Sequence, residues 1–149
     1  MFDDFVKAKG LVKSDISETM YRKLEFNYTM LNYIKLFECE DGVCHITKKE
    51  IAEKMGCSPS LIYKTIKMLS QDGKMIEKIG KAQYKVYQID VFSYGPYANY
   101  IAFSHCIQTV PDFLKLNWKQ QAEIMGIPYS QIQRVYSWVN IGMREMKDW

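Results

Sequence analysis

No run of about 18 apolar residues occurs in this chain, which excludes an ordinary membrane-spanning helix and predicts no membrane partner. The opening MFDDFVKAKG turns acidic at once and has no apolar signal-peptide core, so a cytoplasmic location is expected. Histidine is nearly absent: His45 and His105 are the only two. The four cysteines, Cys39, Cys44, Cys57 and Cys106, follow no tight pattern, which without an export signal predicts free thiols. A metal site drawn from Cys39, Cys44, His45, His105 and Cys106 would have neither Cys-x-x-Cys nor His-x-x-x-His spacing, so neither metal nor other cofactor is expected. Catalytic signatures are missing as well: there is no Gly-rich phosphate loop, no Gly-x-Ser-x-Gly and no metalloprotease helix. The closest carboxylates, Asp3-Asp4 and Glu38/Glu40/Asp41, read as helix-end and turn charges, and Glu50 and Glu53 as a cap and a solvated face. The chain is therefore not expected to be an enzyme. A net charge of +3 is too mild to argue for nucleic acid by itself, so the placement of basic residues must carry that argument.

Apolar residues make up 48% and charged residues 25% of the 149, a balance that suits a globular protein able to bury a core without metal or disulfide. Residues 1–26 read as an N-terminal helical extension in which SDISETMYRKLEF offers Ser and Asp caps. From Asn27, taken as an N-cap, Met30, Leu31, Ile34 and Phe37 recur at helical spacing. Asp41-Gly42 marks a turn, Val43 to Thr47 a short strand, and Thr47-Lys48-Lys49-Glu50 a capping box that opens the next helix. Gly56 stops that helix, and Ser58-Pro59 starts another that runs to Gln71, before Asp72-Gly73. Met75 to Ile79 and Gln83 to Ile89 form a hairpin whose tip is Gly80-Lys81-Ala82. Residues 90–96 are a connector with Gly95-Pro96 as its breaker. Residues 97–149 form a helical domain, opened by an apolar helix from Tyr97 to Val110 that Pro111 ends. The expected fold class is mainly α with a small antiparallel β-sheet.

The stretch IAEKMGCSPSLIYKTIKML, residues 51–69, joins two short helices through a glycine turn. On a wheel of about 100° per residue, Ile66 and Leu69 fall within about 40° of Ile62 and face inward. Ser60, Lys64 and Lys67 fall on the opposite side and Tyr63 on a shoulder, leaving an outer face with no acid. Ala52 is small enough for two helices to cross closely, and residues 51, 55, 57 and 62 supply the apolar contacts. With the strand before it and the hairpin after it, this segment resembles the winged helix-turn-helix family over residues 27–89. The resemblance implies a recognition helix presenting Ser60, Tyr63, Lys64 and Lys67 to the DNA major groove, with Ser58 at its start. It also implies phosphate contacts from Lys48 and Lys49, and a wing bringing Lys78, Lys81 and Lys85 to the flanking backbone.

A second copy lies 70 residues on. Lys49 aligns with Lys119, Ala52 with Ala122, Glu53 with Glu123, Met55 with Met125, Gly56 with Gly126, Ser60 with Ser130 and Ile62 with Ile132, while Lys64 meets Arg134. The same wheel turns Ile132, Tyr136 and Val139 inward. It turns Ser130, Arg134 and Ser137 outward with Gln133 on a shoulder, and Gln and Arg are types that read adenine and guanine bidentately. Three departures weaken the likeness: Gln121 replaces Ile51, Pro128 replaces Ser58 and should shift the cap, and IGMREMKDW shows no hairpin. The alternative for this copy is a helical packing or dimerisation element, and for Trp118, Trp138 and Trp149 it is core packing rather than a stacking platform.

The partner expected is double-stranded DNA. A transcriptional regulator of a bacterium, phage or plasmid would bind a palindrome as a homodimer, its half-sites about 34 Å apart. A plasmid or phage replication initiator with tandem units could instead place one chain on a directly repeated or asymmetric site. A third expectation is a winged-helix adaptor that docks a protein or binds RNA.

Overall fold

The computed structural model describes residues 1–10, 18–71, 74–93 and 95–137. The chain is mainly helical with one small three-stranded antiparallel sheet. It divides into two compact units, residues 23–94 and residues 1–22 together with 95–149.

Helix α2 (Glu18–Lys35) starts in the second unit, passes into the first at Lys23 and runs without interruption through Asn27. Asn27 is therefore no N-cap. It is buried in mid-helix, on a stripe of Met20, Leu24, Tyr28, Leu31 and Ile34 whose three- and four-residue steps keep one face inward. The helix stops at Lys35, so Phe37 sits beyond it, partly exposed, with its ring edge-on to Tyr33 at 5.2 Å. Strand β1 is only Cys44–His45, shorter than the expected Val43 to Thr47. Helices α3 (Lys48–Met55) and α4 (Pro59–Gln71) follow, then strands β2 (Ile76–Gly80) and β3 (Gln83–Val86).

The sheet order is β1-β3-β2, with β3 antiparallel to both neighbours. The hairpin is shorter at both outer ends than the sequence suggested. Met75 instead ties helix to sheet: its N–H donates to the Leu69 carbonyl at 3.1 Å, and its own carbonyl accepts from Tyr87 N–H at 2.8 Å. Ala82 takes a left-handed φ of 55° in the tight turn between β2 and β3. Ile51, Ala52, Ile62, Ile66, Leu69, Ile76, Tyr84 and Val86 are buried and, with Leu24, Tyr28, Leu31 and Ile34 of α2, make up the core of this unit. The run 90–96 is not simply a connector. Val91–Ser93 makes one 3-10 turn that buries Val91 and Phe92.

In the second unit, α1 (Phe2–Ala8) lies within the N-terminal stretch read as helical, although no helix with these bounds is marked by the sequence. Phe2 and Val6 are buried, Phe2 meets Tyr21 edge-on at 5.1 Å, and the Tyr21 hydroxyl donates to the Asp3 carboxylate. Helix α5 (Gly95–Thr109) begins at Gly95, so Gly95-Pro96 opens a helix rather than breaking the chain. Proline is tolerated there because first-turn N–H groups have no intrahelical acceptor. A 3-10 turn at Phe113–Lys115 leads to α6 (Trp118–Met125) and then α7, helical over 129–137. Phe103, Phe113 and Val135 form its buried cluster, with Cys106, Val110, Leu116, Met125 and Tyr136 around them.

Candidate nucleic-acid interface

The α3–α4 pair is built from local signals that each have a partner in the structure. Thr47 Oγ1 accepts from Glu50 N–H at 3.1 Å, satisfying one orphan donor at the start of α3. Only this half of the expected box forms. Gly56 ends α3 at φ 68°, ψ 37°, and Cys57 N–H closes back to the Ala52 carbonyl at 3.0 Å. Ser58 Oγ then accepts from Leu61 N–H at 3.2 Å, and Pro59 begins α4. Ser58 thus acts as a cap at the start of the helix.

Helix α4 turns Ile62, Thr65, Ile66 and Leu69 inward. The Thr65 hydroxyl is satisfied by the Leu61 carbonyl at 2.8 Å, which lets a polar side chain join the apolar face. Ser60, Tyr63, Lys64 and Lys67 are all exposed, and no Asp or Glu occurs anywhere in α4. Leu61, 43% exposed, stands on the other shoulder of this face. Its wheel position is plain in the sequence, but an apolar side chain does not stand out on a face defined by its charges.

Lys48 and Lys49 open α3. The Lys48 ammonium lies 4.8 Å over the Tyr63 ring, joining α3 to α4 by a cation–π contact. Loss of hydration and then the adjacent Lys78 ammonium hold Lys48 below its ordinary range. At the other end of α3, Lys54 lies over the Tyr33 ring at 5.6 Å.

The hairpin does not present its lysines as one ridge. Lys78 pairs across the sheet with buried Tyr84, so it shares the inner face, at its rim. Lys85 pairs with Glu77, one residue out of phase, and so points to the outer face. Its ammonium lies 5.6 Å from the Tyr87 ring. Lys81 is exposed in the turn between the strands. The structure thus sets Lys48 against Tyr63 and puts Lys78 and Lys85 on opposite faces of the hairpin.

The second copy repeats this construction in detail. Asn117 caps α6 with a complete box: its side chain accepts from Gln120 N–H at 2.9 Å and Gln120 Oε1 accepts from Asn117 N–H at 3.1 Å. Gly126 takes φ 69°, ψ 31°, and Ile127 N–H returns to the Ala122 carbonyl at 3.1 Å. From 121 to 130 the order of buried, half-buried and exposed residues is that of 51 to 60, position for position.

Two expected weaknesses are corrected. Gln121 does not loosen the pair: it is fully buried, its Nε2 donating to the Phe113 carbonyl at 3.0 Å and its Oε1 accepting from the Tyr136 hydroxyl at 2.7 Å. A buried amide so satisfied carries little desolvation penalty. Pro128 does not shift the cap. Helix α7 begins at 129 as α4 begins at 59, and the Pro128 carbonyl accepts from Gln131 N–H at 3.0 Å; only the Ser58 hydroxyl has no counterpart.

Ser130, Gln133, Arg134 and Ser137 are exposed on α7, while Ile132 and Val135 are buried and Tyr136 half-buried. Val135 occupies the inward place that Thr65 holds in α4, at the edge of the apolar stripe marked by Ile132 and Tyr136. Trp118 stacks on Tyr136 with ring centroids 4.8 Å apart. Val139, Trp138, Trp149 and the IGMREMKDW segment lie outside the described residues, as do the SDIS caps and Asp72-Gly73.

Cys44 is buried, and burial followed by the Glu38 carboxylate pushes its thiol up. Cys39 is exposed, and Cys57 and Cys106 are half-buried. Among the described residues no three His, Cys, Asp or Glu side chains gather as metal ligands, and no helix is long and apolar enough to cross a membrane. Compared with known protein families, curated proteins and solved structures, the chain matches none of them.

Proposed function

We propose that this protein binds double-stranded DNA with sequence preference, as a winged helix-turn-helix protein whose α4 enters the major groove. The observation that carries this is the face of α4: hydroxyl, phenol and two ammonium groups, exposed together, with no acid among them. Ser60, Tyr63, Lys64 and Lys67 are the candidates for base and phosphate contacts there, with Leu61 suited to a thymine methyl. Lys48, Lys49, Lys78 and Lys81 would add backbone contacts. On family resemblance the biological role is transcription regulation in a bacterium, phage or plasmid.

A second role, replication initiation by tandem units, is favoured by one observation. The caps, glycine turn and burial order of the α3–α4 pair recur in α6–α7, with Arg134 and Gln133 exposed. Selection of bound sites from random duplexes separates the two. A palindrome with half-sites about 34 Å apart supports a homodimeric regulator, whereas a direct repeat or an asymmetric site bound by one chain supports tandem reading. The variant Lys64→Glu is expected to lose selective binding with its thermal unfolding unchanged, because the side chain is exposed. Retained selective binding by Lys64→Glu would remove α4 from the interface. If duplexes are ignored and a protein or RNA is bound instead, the chain is an adaptor.

A further inference from the structure

Tyr63 supplies the one ring of α4, on its acid-free side, and is 49% exposed. A phenol hydroxyl both donates and accepts, so what it reads depends on where it points. A group that must be ordered on binding discriminates less well than one already in place. Here the ring is held before any ligand arrives. Lys48 Nζ, from the start of α3, lies 4.8 Å from the ring centroid, within the range of a cation–π contact. The backbone fixes both ends of that contact. Thr47 caps α3 immediately before Lys48, its Oγ1 accepting from Glu50 N–H at 3.1 Å. Ile62, fully buried, anchors α4 immediately before Tyr63.

The contact is not a by-product of helix-pair geometry. The 70-residue offset puts Trp118 in the place of Lys48 and Gln133 in that of Tyr63. Trp118 turns instead to Tyr136, which stands where Ile66 does, and stacks on it at 4.8 Å. The same backbone thus serves two different ring contacts, and the one in α3–α4 falls on the face read as the DNA-facing one.

We propose that Tyr63 sets the sequence preference of α4 through its hydroxyl, and that Lys48 is a positioning residue that clamps the ring so that the hydroxyl meets one base edge. The inference rests on the duplex-binding function proposed above and deepens it. It gives Lys48 a second part beside its backbone contact. A lysine that met only a phosphate would add the same affinity to every sequence, whereas a clamp on a base-reading ring favours one sequence over another.

The readout is a ratio: affinity for a duplex site selected from random sequences over affinity for a mixed-sequence duplex, at one salt concentration. Tyr63→Phe keeps the ring and the clamp but removes the hydroxyl, and should lower the ratio roughly five- to tenfold. Lys48→Met keeps an unbranched stem without the charge and should also lower it. Lys48→Arg, whose guanidinium stacks on rings as well, should restore most of it. In the Tyr63→Phe background Lys48→Met should lower the ratio no further, because the hydroxyl that Lys48 directs is gone. Lys48→Gln must repeat the Lys48→Met pattern, which guards against an effect of the new apolar side chain on folding. Equal weakening of both duplexes by Lys48→Met overturns the clamp and leaves that lysine a phosphate contact. So do additive losses in the double variant, or a Lys48→Arg ratio as low as that of Lys48→Met. An unchanged ratio in Tyr63→Phe overturns the part given to Tyr63. A parent protein that binds no duplex, or all duplexes alike, overturns the function proposed above together with the clamp. A parent that selects a site but whose ratio ignores these variants overturns the clamp alone.

Discussion

Gly56 and Gly126 are the residues on which both helix pairs turn. Each is left-handed, and a Cβ built on either meets nothing within 4 Å. The cost of Gly56→Ala or Gly126→Ala is therefore conformational alone, about 1–2 kcal/mol, and should be similar at the two sites in denaturant titrations. Asn at either position should cost less, since Asn tolerates that region. Gln121 gives a sharper contrast. Gln121→Ala removes the partners of the Phe113 carbonyl and the Tyr136 hydroxyl and opens a cavity, which should cost about 1–3 kcal/mol. Its position was legible in the 70-residue offset, but its burial was not. A glutamine is read as polar until its two partners, eight residues before and fifteen after, are known to converge on it.

Cys44 and Tyr84 supply a pH dependence at the same scale. Burial raises both above their ordinary values of 9.0 and 10.0. The folded state then holds protons that the unfolded state releases. Stability from these two groups is present below pH 9.0, and it is lost as pH rises through 9.0 and then 10.0 toward their raised values. Urea midpoints should therefore fall with alkaline pH, and Cys44→Ala should flatten the earlier part of that fall. A midpoint independent of pH from 8 to about 11 would contradict the sign argued here.

At the scale of elements, the helix pair was nearly complete in the sequence because its signals are local: a cap, a stop glycine, a second cap and a 3.6-residue stripe. Elements set by distant contacts were not. Asn27 resembles a cap in isolation, yet α2 continues through it because the buried stripe from Met20 to Ile34 stays in phase. Hairpin register was likewise hidden, since loosely alternating residues around Tyr84 leave the pairing undetermined until β1 and β2 are both placed. Register matters for function. Lys78 lies on the helix-facing side of the sheet and Lys85 on the other, so Lys78→Glu should weaken duplex binding markedly more than Lys85→Glu. Equal losses in gel-shift titrations of the two variants would mean that the outer face of the hairpin also lies against the nucleic acid.

For the whole molecule, the two units use one helix-pair design, and the second keeps the backbone geometry while trading Lys64 for Arg134 and Tyr63 for Gln133. Arg134→Glu asks whether that design is used twice. A loss of affinity comparable to Lys64→Glu would make one chain a reader of two duplex segments, and unchanged affinity would leave α6–α7 a packing element.

The claim beneath all of this is that a cationic, acid-free helix face meets DNA phosphates, and equilibrium titration of a mixed-sequence duplex at two salt concentrations tests it most directly. With about six phosphate contacts, affinity should fall by about three decades between roughly 50 and 200 mM salt, and Lys64→Glu should lower affinity at both. Affinity that is indifferent to salt, or undetectable at the lower concentration, would contradict it.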